Sequence, residues 1–143
     1  MERGYTVEDY KRLVEKILKK RPLSAIGTDI IVGFPTESEE DFKETYRLVE
    51  TLPFAYLHIF SYSDRPYTKA SRMSPKVKQE VIKERVKLLK ALDEKKRREF
   101  KKAMEGKTLR ALIIEKGLAL TENYIHLEDP NFEDVGNIRL VRI

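Results

Sequence analysis

The spacing of apolar residues in the first part of the chain predicts one helix followed by one strand. Five apolar residues fall at positions i, i+3, i+4, i+7 and i+8, the spacing of a single helix face: Tyr10, Leu13, Val14, Ile17 and Leu18. Thr6 is placed to cap this helix, and Pro22 stops it. The nearly continuous apolar stretch at 24–32 predicts a strand buried on both faces, as in a parallel sheet.

A turn and a second helix are predicted directly after this strand. The apolar run ends at Gly33, and Pro35 lacks the backbone donor that further strand pairing would need. Thr36 lies three residues before Glu39, which is the spacing of a capping box. In parallel α/β sheets, ligands bind where strand ends meet helix starts. The turn is therefore either a ligand-binding turn or an ordinary connection.

The second helix and a second strand complete a predicted βαβ unit. An apolar stripe marks the helix, which ends before Pro53, and a strand is predicted at 55–61. Two parallel strands alone would both be edge strands with unpaired backbone groups. We therefore expect that the chain is part of a larger α/β domain, or that it completes its sheet with another chain.

A loop and a long helix follow the second strand. The loop at 62–73 is polar and basic, and it leaves the C-terminal end of a strand, where the active-site loops of α/β folds lie. Ser74 and Pro75 are predicted to begin a helix that ends at Gly106, a length of about 45 Å for roughly thirty residues. Lysine and arginine dominate 95–102, which suits a solvated bridging helix and also offers candidate phosphate contacts.

After residue 106, the spacing of apolar residues changes from that of a helix to that of short strands. Short apolar segments at 109–114, 118–120, 123–127 and 138–143 are punctuated by turn residues at Gly117, 129–131 and 136–137. This pattern predicts a small all-β module that is a barrel or a fragment of one. The expected fold class is α/β, divided into an α/β segment at 1–73, a bridging helix at 74–106 and a β module at 107–143.

Composition narrows the possible chemistry. The chain has no cysteine, which excludes disulfide bonds and any cysteine-held zinc or iron–sulfur site on it. Its two histidines, His58 and His126, are too few for a histidine-rich metal site, so no metal site is predicted. A charged fraction of 37% without tryptophan resembles a thermophile surface, and a net charge of +5 favours an anionic partner such as RNA. Residues 1–5 contain no apolar signal core, and no apolar run is long enough to cross a membrane, so we expect a cytoplasmic location.

Three segments together resemble one enzyme family. Residues 28–37 resemble the TDIIVGFPGET strand and turn of the radical S-adenosylmethionine tRNA methylthiotransferases (MiaB/MtaB-like). Residues 60–70 are similar to that family's FPYSPRPGTPA loop, and residues 120–125 to the GxTENYxxV segment of its C-terminal TRAM domain. Thr36 and Tyr67 stand where the family has glycine, and both replace a residue that tolerates positive φ. The β module is also shorter than the family's usual TRAM domain.

The resemblance implies a fold and an activity. It covers the second half of a radical-SAM (β/α) barrel and a TRAM-like module, without the segment that carries the CxxxCxxC cluster motif. The implied reaction adds a methylthio group to a modified adenosine next to the tRNA anticodon, with N6-threonylcarbamoyladenosine as the favoured substrate. The implied cofactors are S-adenosylmethionine and two 4Fe–4S clusters of the full-length protein. This chain holds no cluster ligand and is expected to be inactive alone.

The resemblance also implies roles for individual residues, while the catalytic residues stay unassigned. The candidates for S-adenosylmethionine contact are Asp29, Gly33, Pro35 and Ser63. The candidates for tRNA contact are Arg65, Thr68, Asn123, Tyr124, Arg139 and Arg142. Several have a structural alternative. It is turn chemistry for Gly33 and Pro35, a structural ion pair for Asp29 and core closure for Tyr124; a solvated loop is the alternative for Ser63, Arg65 and Thr68.

The implied partners are tRNA and either the missing N-terminal part of the same protein or a second copy that joins at the open sheet edges. Two other classes stay open: a non-catalytic RNA-binding accessory protein and another radical-SAM enzyme with the same barrel.

Overall fold

The computed structural model describes residues 4–143, so residues 1–3 of the predicted signal-free N-terminus lie outside the described part. Three helices, a parallel sheet and an antiparallel sheet make it a mixed α/β fold. The elements are α1 (Val7–Lys20), β1 (Gly27–Val32), α2 (Glu39–Thr51), β2 (Tyr56–Ser61), a 3₁₀ turn (Ala70–Arg72), α3 (Gln79–Met104), β3 (Thr108–Glu115), β4 (Leu118–Thr121), β5 (His126–Glu128) and β6 (Ile138–Arg142).

The predicted βαβ unit is confirmed. Strands β1 and β2 pair in parallel, from Gly27 opposite Tyr56 to Val32 opposite Ser61. Residues from all three helices and both strands share one hydrophobic core beneath this sheet: Val14, Ile30, Val32, Phe42, Val49, Leu52, Phe54, Leu57, Ile82, Leu89 and Leu92. Within residues 4–143 no third strand joins this sheet, although the Leu57 N–H of β2 donates to Asp93 of α3 at 2.6 Å.

The prediction that β1 is buried on both faces is wrong for this chain. Ile30 and Val32 are buried, whereas Ile31 is 38% exposed and its neighbour Phe60 on β2 is 52% exposed. The side chains alternate because the helices pack on one face only and leave the other uncovered.

The predicted helix starts are partly corrected. Thr6 caps α1 through a capping box with Asp9, as predicted. The cap of α2 is Ser38 with Asp41, two residues beyond the predicted Thr36 and Glu39. Thr36 instead adopts φ +70°, and its N–H donates to the carbonyl of Pro75 at 3.0 Å.

The long helix also begins later than predicted. Pro75 is held in the turn by the hydrogen bond from Thr36, and Lys78 is in extended backbone conformation, so α3 starts at Gln79. It has 26 residues, a length of about 39 Å, and ends before Gly106 as predicted.

The predicted β module is an antiparallel sheet with strand order β5-β4-β3-β6. Its core is small and consists of Ala111, Ile113, Ala119 and Phe132. In the part of the chain that is described, β5 and β6 do not pair with each other, so the sheet is open rather than a closed barrel.

Replacing Thr36 with glycine is expected to stabilise the chain by about 0.5–1 kcal/mol, because a β-branched residue at positive φ is strained. Thr36 is exposed and stands at φ +70°. The free energy of unfolding from urea titration measures the gain. Thr36→Ala is the control, since alanine keeps the strain, and an equal gain in both variants would show that the backbone is not strained there.

Candidate functional site

The turn after β1 is built from buried groups that already have partners. Gly33 is buried at φ +79°, and its N–H donates to Glu37 Oε2 at 2.7 Å. A Cβ on Gly33 would lie 2.5 Å from the side chain of Ile82, and Pro35 is fully buried. These two candidates for cofactor contact therefore shape the turn, and the Gly33 N–H is already engaged by Glu37.

A buried ion pair holds this turn against α3. Arg85 Nη1 donates to Glu37 Oε2 at 2.8 Å, and the two side chains are 6% and 12% exposed. Arg85 Nη2 donates to the Ser38 carbonyl at 3.1 Å, and the guanidinium lies 5.1 Å from the ring centre of Phe42. Sequence reasoning missed this pair because no local pattern connects residues 48 positions apart.

The uncovered sheet face and the loop after β2 carry the exposed candidates. Asp29 is exposed and stands opposite His58 in the strand register. Ser63 and Arg65 are exposed in the loop, and Thr68 donates to the Arg65 carbonyl at 2.9 Å. Asp29 and Ser63 therefore keep side-chain atoms available to a ligand, whereas the Thr68 hydroxyl is engaged in the loop's own turn.

In the β4–β5 turn, two candidates for tRNA contact that are adjacent in sequence differ in burial. Asn123 is 4% exposed; its Nδ2 donates to the Leu23 carbonyl at 2.8 Å, and its Oδ1 accepts from the Thr121 hydroxyl at 2.7 Å. Tyr124 is 71% exposed at φ +67°. Asn123 therefore joins the β module to the segment after α1, and Tyr124 points out of the module's core.

The two arginine candidates of β6 differ in their surroundings. Arg139 pairs with Asp134 and also donates to the Asn131 carbonyl at 3.4 Å. Arg142 is exposed near the end of the strand. Three positions separate them along the strand, so they lie on opposite faces of the sheet.

The basic half of α3 is not a uniform cationic surface. Lys96 is buried, and its Nζ donates to the carbonyls of Glu50 at 2.9 Å and Leu52 at 2.7 Å, at the end of α2. Burial lowers the pKa of Lys96. Arg97 Nε donates to Asp93 at 2.8 Å, which leaves its terminal nitrogens available.

Neither a membrane span nor a metal cluster is found in residues 4–143. No helix there is both long and apolar enough to cross a bilayer. In the same range, no three His, Asp or Glu side chains converge as metal ligands, and the whole sequence lacks cysteine.

Comparison with known proteins agrees with the resemblance. No protein-family model matches the chain. It is 55% identical over 143 residues to threonylcarbamoyladenosine tRNA methylthiotransferase MtaB of Aquifex aeolicus, a match that covers 100% of this chain and 34% of that protein. It is 43% identical over 129 residues to MtaB of Treponema pallidum, covering 89% of this chain and 27% of that protein.

A third relative is named for a different modified adenosine. The tRNA-2-methylthio-N(6)-dimethylallyladenosine synthase of Thermobifida fusca is 44% identical over 115 residues, which cover 80% of this chain and 23% of that protein. All three relatives are, by name, tRNA-methylthiolating enzymes. The chain belongs to the MiaB/MtaB-like family of tRNA methylthiotransferases. It spans about a third of the length of the Aquifex relative and about a quarter of the length of the other two.

Proposed function

We propose that this chain is the C-terminal part of a tRNA methylthiotransferase that modifies N6-threonylcarbamoyladenosine next to the anticodon. The observation that carries the proposal is the 55% identity to the Aquifex MtaB protein across all 143 residues. The dimethylallyladenosine enzyme is 44% identical over a shorter match, so the threonylcarbamoyl substrate is favoured. A tRNA-modifying enzyme works where tRNA is, so its proposed location is the cytoplasm.

The proposed domain organisation keeps 1–73 as the end of a radical-SAM barrel, 74–106 as a bridging helix and 107–143 as a TRAM-like module. Two parallel strands with helices on one face and an uncovered opposite face are the arrangement expected of a segment of a β/α barrel. Because α3 engages the Leu57 N–H of β2, the open edge of β1 is where the preceding part of the same protein, or a second copy, would pair.

The proposed cofactors fit this chain unequally. The 4Fe–4S clusters do not fit, because the chain has no thiolate to hold them. S-adenosylmethionine, when bound in the whole protein, supplies the 5′-deoxyadenosyl radical. Asp29 offers a carboxylate to ribose hydroxyls or an amine, and Ser63 offers a hydroxyl at the strand end. Gly33 and Pro35 are proposed to fix the path of the backbone beside it.

The proposed tRNA contacts are divided by exposure. Arg65 and Arg142 are exposed cations suited to phosphates, and Tyr124 is an exposed ring suited to stacking on a base. Asn123 is buried, so its proposed role becomes the positioning of Tyr124. Thr68 and Arg139 are engaged with neighbouring groups and contribute less.

A chimera tests this function. The segment of the Aquifex protein that aligns with this chain is replaced by residues 1–143, and the tRNA nucleosides are analysed by mass spectrometry after reaction. We expect a methylthio group on threonylcarbamoyladenosine and none on dimethylallyladenosine. The isolated chain is expected to give no product because it lacks cluster ligands.

Two controls make the test decisive. Iron content and S-adenosylmethionine cleavage confirm that the chimera is loaded and folded. A loaded chimera that leaves both nucleosides unmodified would contradict the proposal and would favour the RNA-binding accessory protein. Methylthiolation of dimethylallyladenosine alone would contradict the substrate assignment.

A further inference from the structure

A cleft of about 580 Å³ lies between the two sheets, at the opposite end of β1 and β2 from the turn and loop described above. Three parts of the chain enclose it: the start of β2 with Tyr56, the second half of α3 with Phe100, and the β4–β5 turn with Tyr124. Its size is in the range of small-ligand pockets. None of the cofactor candidates lines it.

One wall of the cleft is an aromatic surface that is already fixed. The ring of Tyr56 covers Gly27, where a Cβ would come within 2.1 Å of it. Arg97 lies 5.4 Å from the centre of the same ring on one side, and the ring of His58 meets it at 5.2 Å and 68°. A ring held on several sides loses little side-chain freedom when a ligand binds.

Cationic groups stand at the same cleft. Arg97 engages Asp93 through Nε only, so its terminal nitrogens can bind an anion. Lys101 is exposed and lies one helical turn further along α3. Within residues 4–143, Lys101 has no ion pair, which distinguishes it from Lys95 and its partner Glu99. The lining thus combines aromatic rings with positive charge.

The third wall holds an exposed ring in a strained backbone. Tyr124 adopts φ +67°, a conformation that costs about 1–2 kcal/mol for an L-residue. The strain is held by neighbours: Tyr124 N–H donates to the Thr121 carbonyl at 3.0 Å, and buried Asn123 binds the Leu23 carbonyl. Strained residues that the surroundings hold in place are frequent at ligand sites.

We infer that this cleft binds one unpaired nucleotide of RNA, with its base stacked on Tyr124 and its phosphate at Arg97 and Lys101. Aromatic rings beside cations are the arrangement that binds single-stranded nucleic acid. The net charge of +5 has the sign required for a phosphate ligand. The inference rests on the proposed function, because it assigns a second contact to the same tRNA, away from the reacting adenosine.

Fluorescence anisotropy with labelled hexauridylate and hexaadenylate, and with a twelve-base-pair RNA duplex, tests the inference on the whole chain. We expect the single strands to bind more tightly than the duplex. Tyr124→Gly removes the ring and relieves the strain, and it is expected to weaken single-strand binding on the order of tenfold. Lys101→Gln is expected to reduce the slope of log affinity against log salt by about 0.7.

Each variant has a matched control. Tyr67→Gly removes another exposed tyrosine at φ +68° that does not line the cleft, and Lys16→Gln removes an exposed lysine of α1 that also lies outside the lining. Both controls are expected to change affinity less than twofold. Equal losses in Tyr124→Gly and Tyr67→Gly, or no single-strand binding by the unaltered chain, would overturn the inference. Methylthiolation by the chimera in that case would leave the proposed function intact.

Discussion

Replacement of Arg85 by methionine is expected to lower the free energy of unfolding by about 3–5 kcal/mol, because it leaves a buried carboxylate without its counter-charge. Among the described residues, Glu37 would keep only the Gly33 N–H as a close donor. The carbonyls of Glu37 and Ser38 would lose their guanidinium contacts. Methionine retains much of the packing volume beside Phe42, so the loss reports on charge rather than on a cavity. Urea titration at pH 7 measures it.

The double variant Glu37→Gln with Arg85→Met distinguishes the cost of an unpaired buried charge from a general defect in folding. Glutamine still accepts a hydrogen bond from Gly33 but carries no charge, so the double variant should recover most of the lost stability. Arg110→Met is the surface control: it removes an exposed ion pair with Glu122, and it should cost far less. If the Arg85 and Arg110 variants lose equal stability, Arg85 does not act as a buried ion-pair partner.

Gly33→Ala is expected to cost about 2–4 kcal/mol, the sum of strain at positive φ and of overpacking in a filled core. Its Cβ would lie 2.5 Å from two atoms of Ile82, which belongs to the core beneath the parallel sheet. The side chain of Ile82 or the backbone at residue 33 must therefore shift to relieve the overlap. Thermal unfolding followed by circular dichroism, together with urea titration, measures the effect.

Gly106→Ala is the matched control for this change. Gly106 has nearly the same backbone angle, φ +75°, but apart from its two chain neighbours no described residue has an atom within 4 Å of the Cβ position. Gly106→Ala should therefore show the backbone strain alone, and the difference between the two variants measures the contact with Ile82. A double-mutant cycle with Ile82→Ala should show that Gly33→Ala costs less once that side chain is short. Additive effects would mean that the contact with Ile82 carries none of the cost.

Much of the fold could be predicted because its signals are local. Thr6 and Pro22 bound α1, the apolar stripe and the two strands define the βαβ unit, and the short strands follow from their turns. The positive φ at Thr36 and Tyr67, where the related family has glycine, also followed from a local comparison. Each of these features depends on residues within a few positions of one another.

What could not be predicted depends on contacts between distant parts of the chain. Pro75 looks like a helix start, but its carbonyl binds Thr36, so α3 begins later. The sequence predicts that Asn123 contacts RNA, but its side chain is buried and hydrogen-bonded to the Leu23 carbonyl. The uncovered face of β1 has a similar cause, because nothing within the described residues packs against it.

The hydrogen bond from Asn123 to Leu23 is expected to form late in folding. It joins residues 100 positions apart. Closing a flexible loop of that length costs about 4 kcal/mol in chain entropy, whereas one such bond returns about 1 kcal/mol. We therefore expect the bond to form after the βαβ unit and α3, whose folding shortens the path between its ends. The Tyr124 wall of the cleft is then expected to be fixed only after the parallel sheet and its helices are in place.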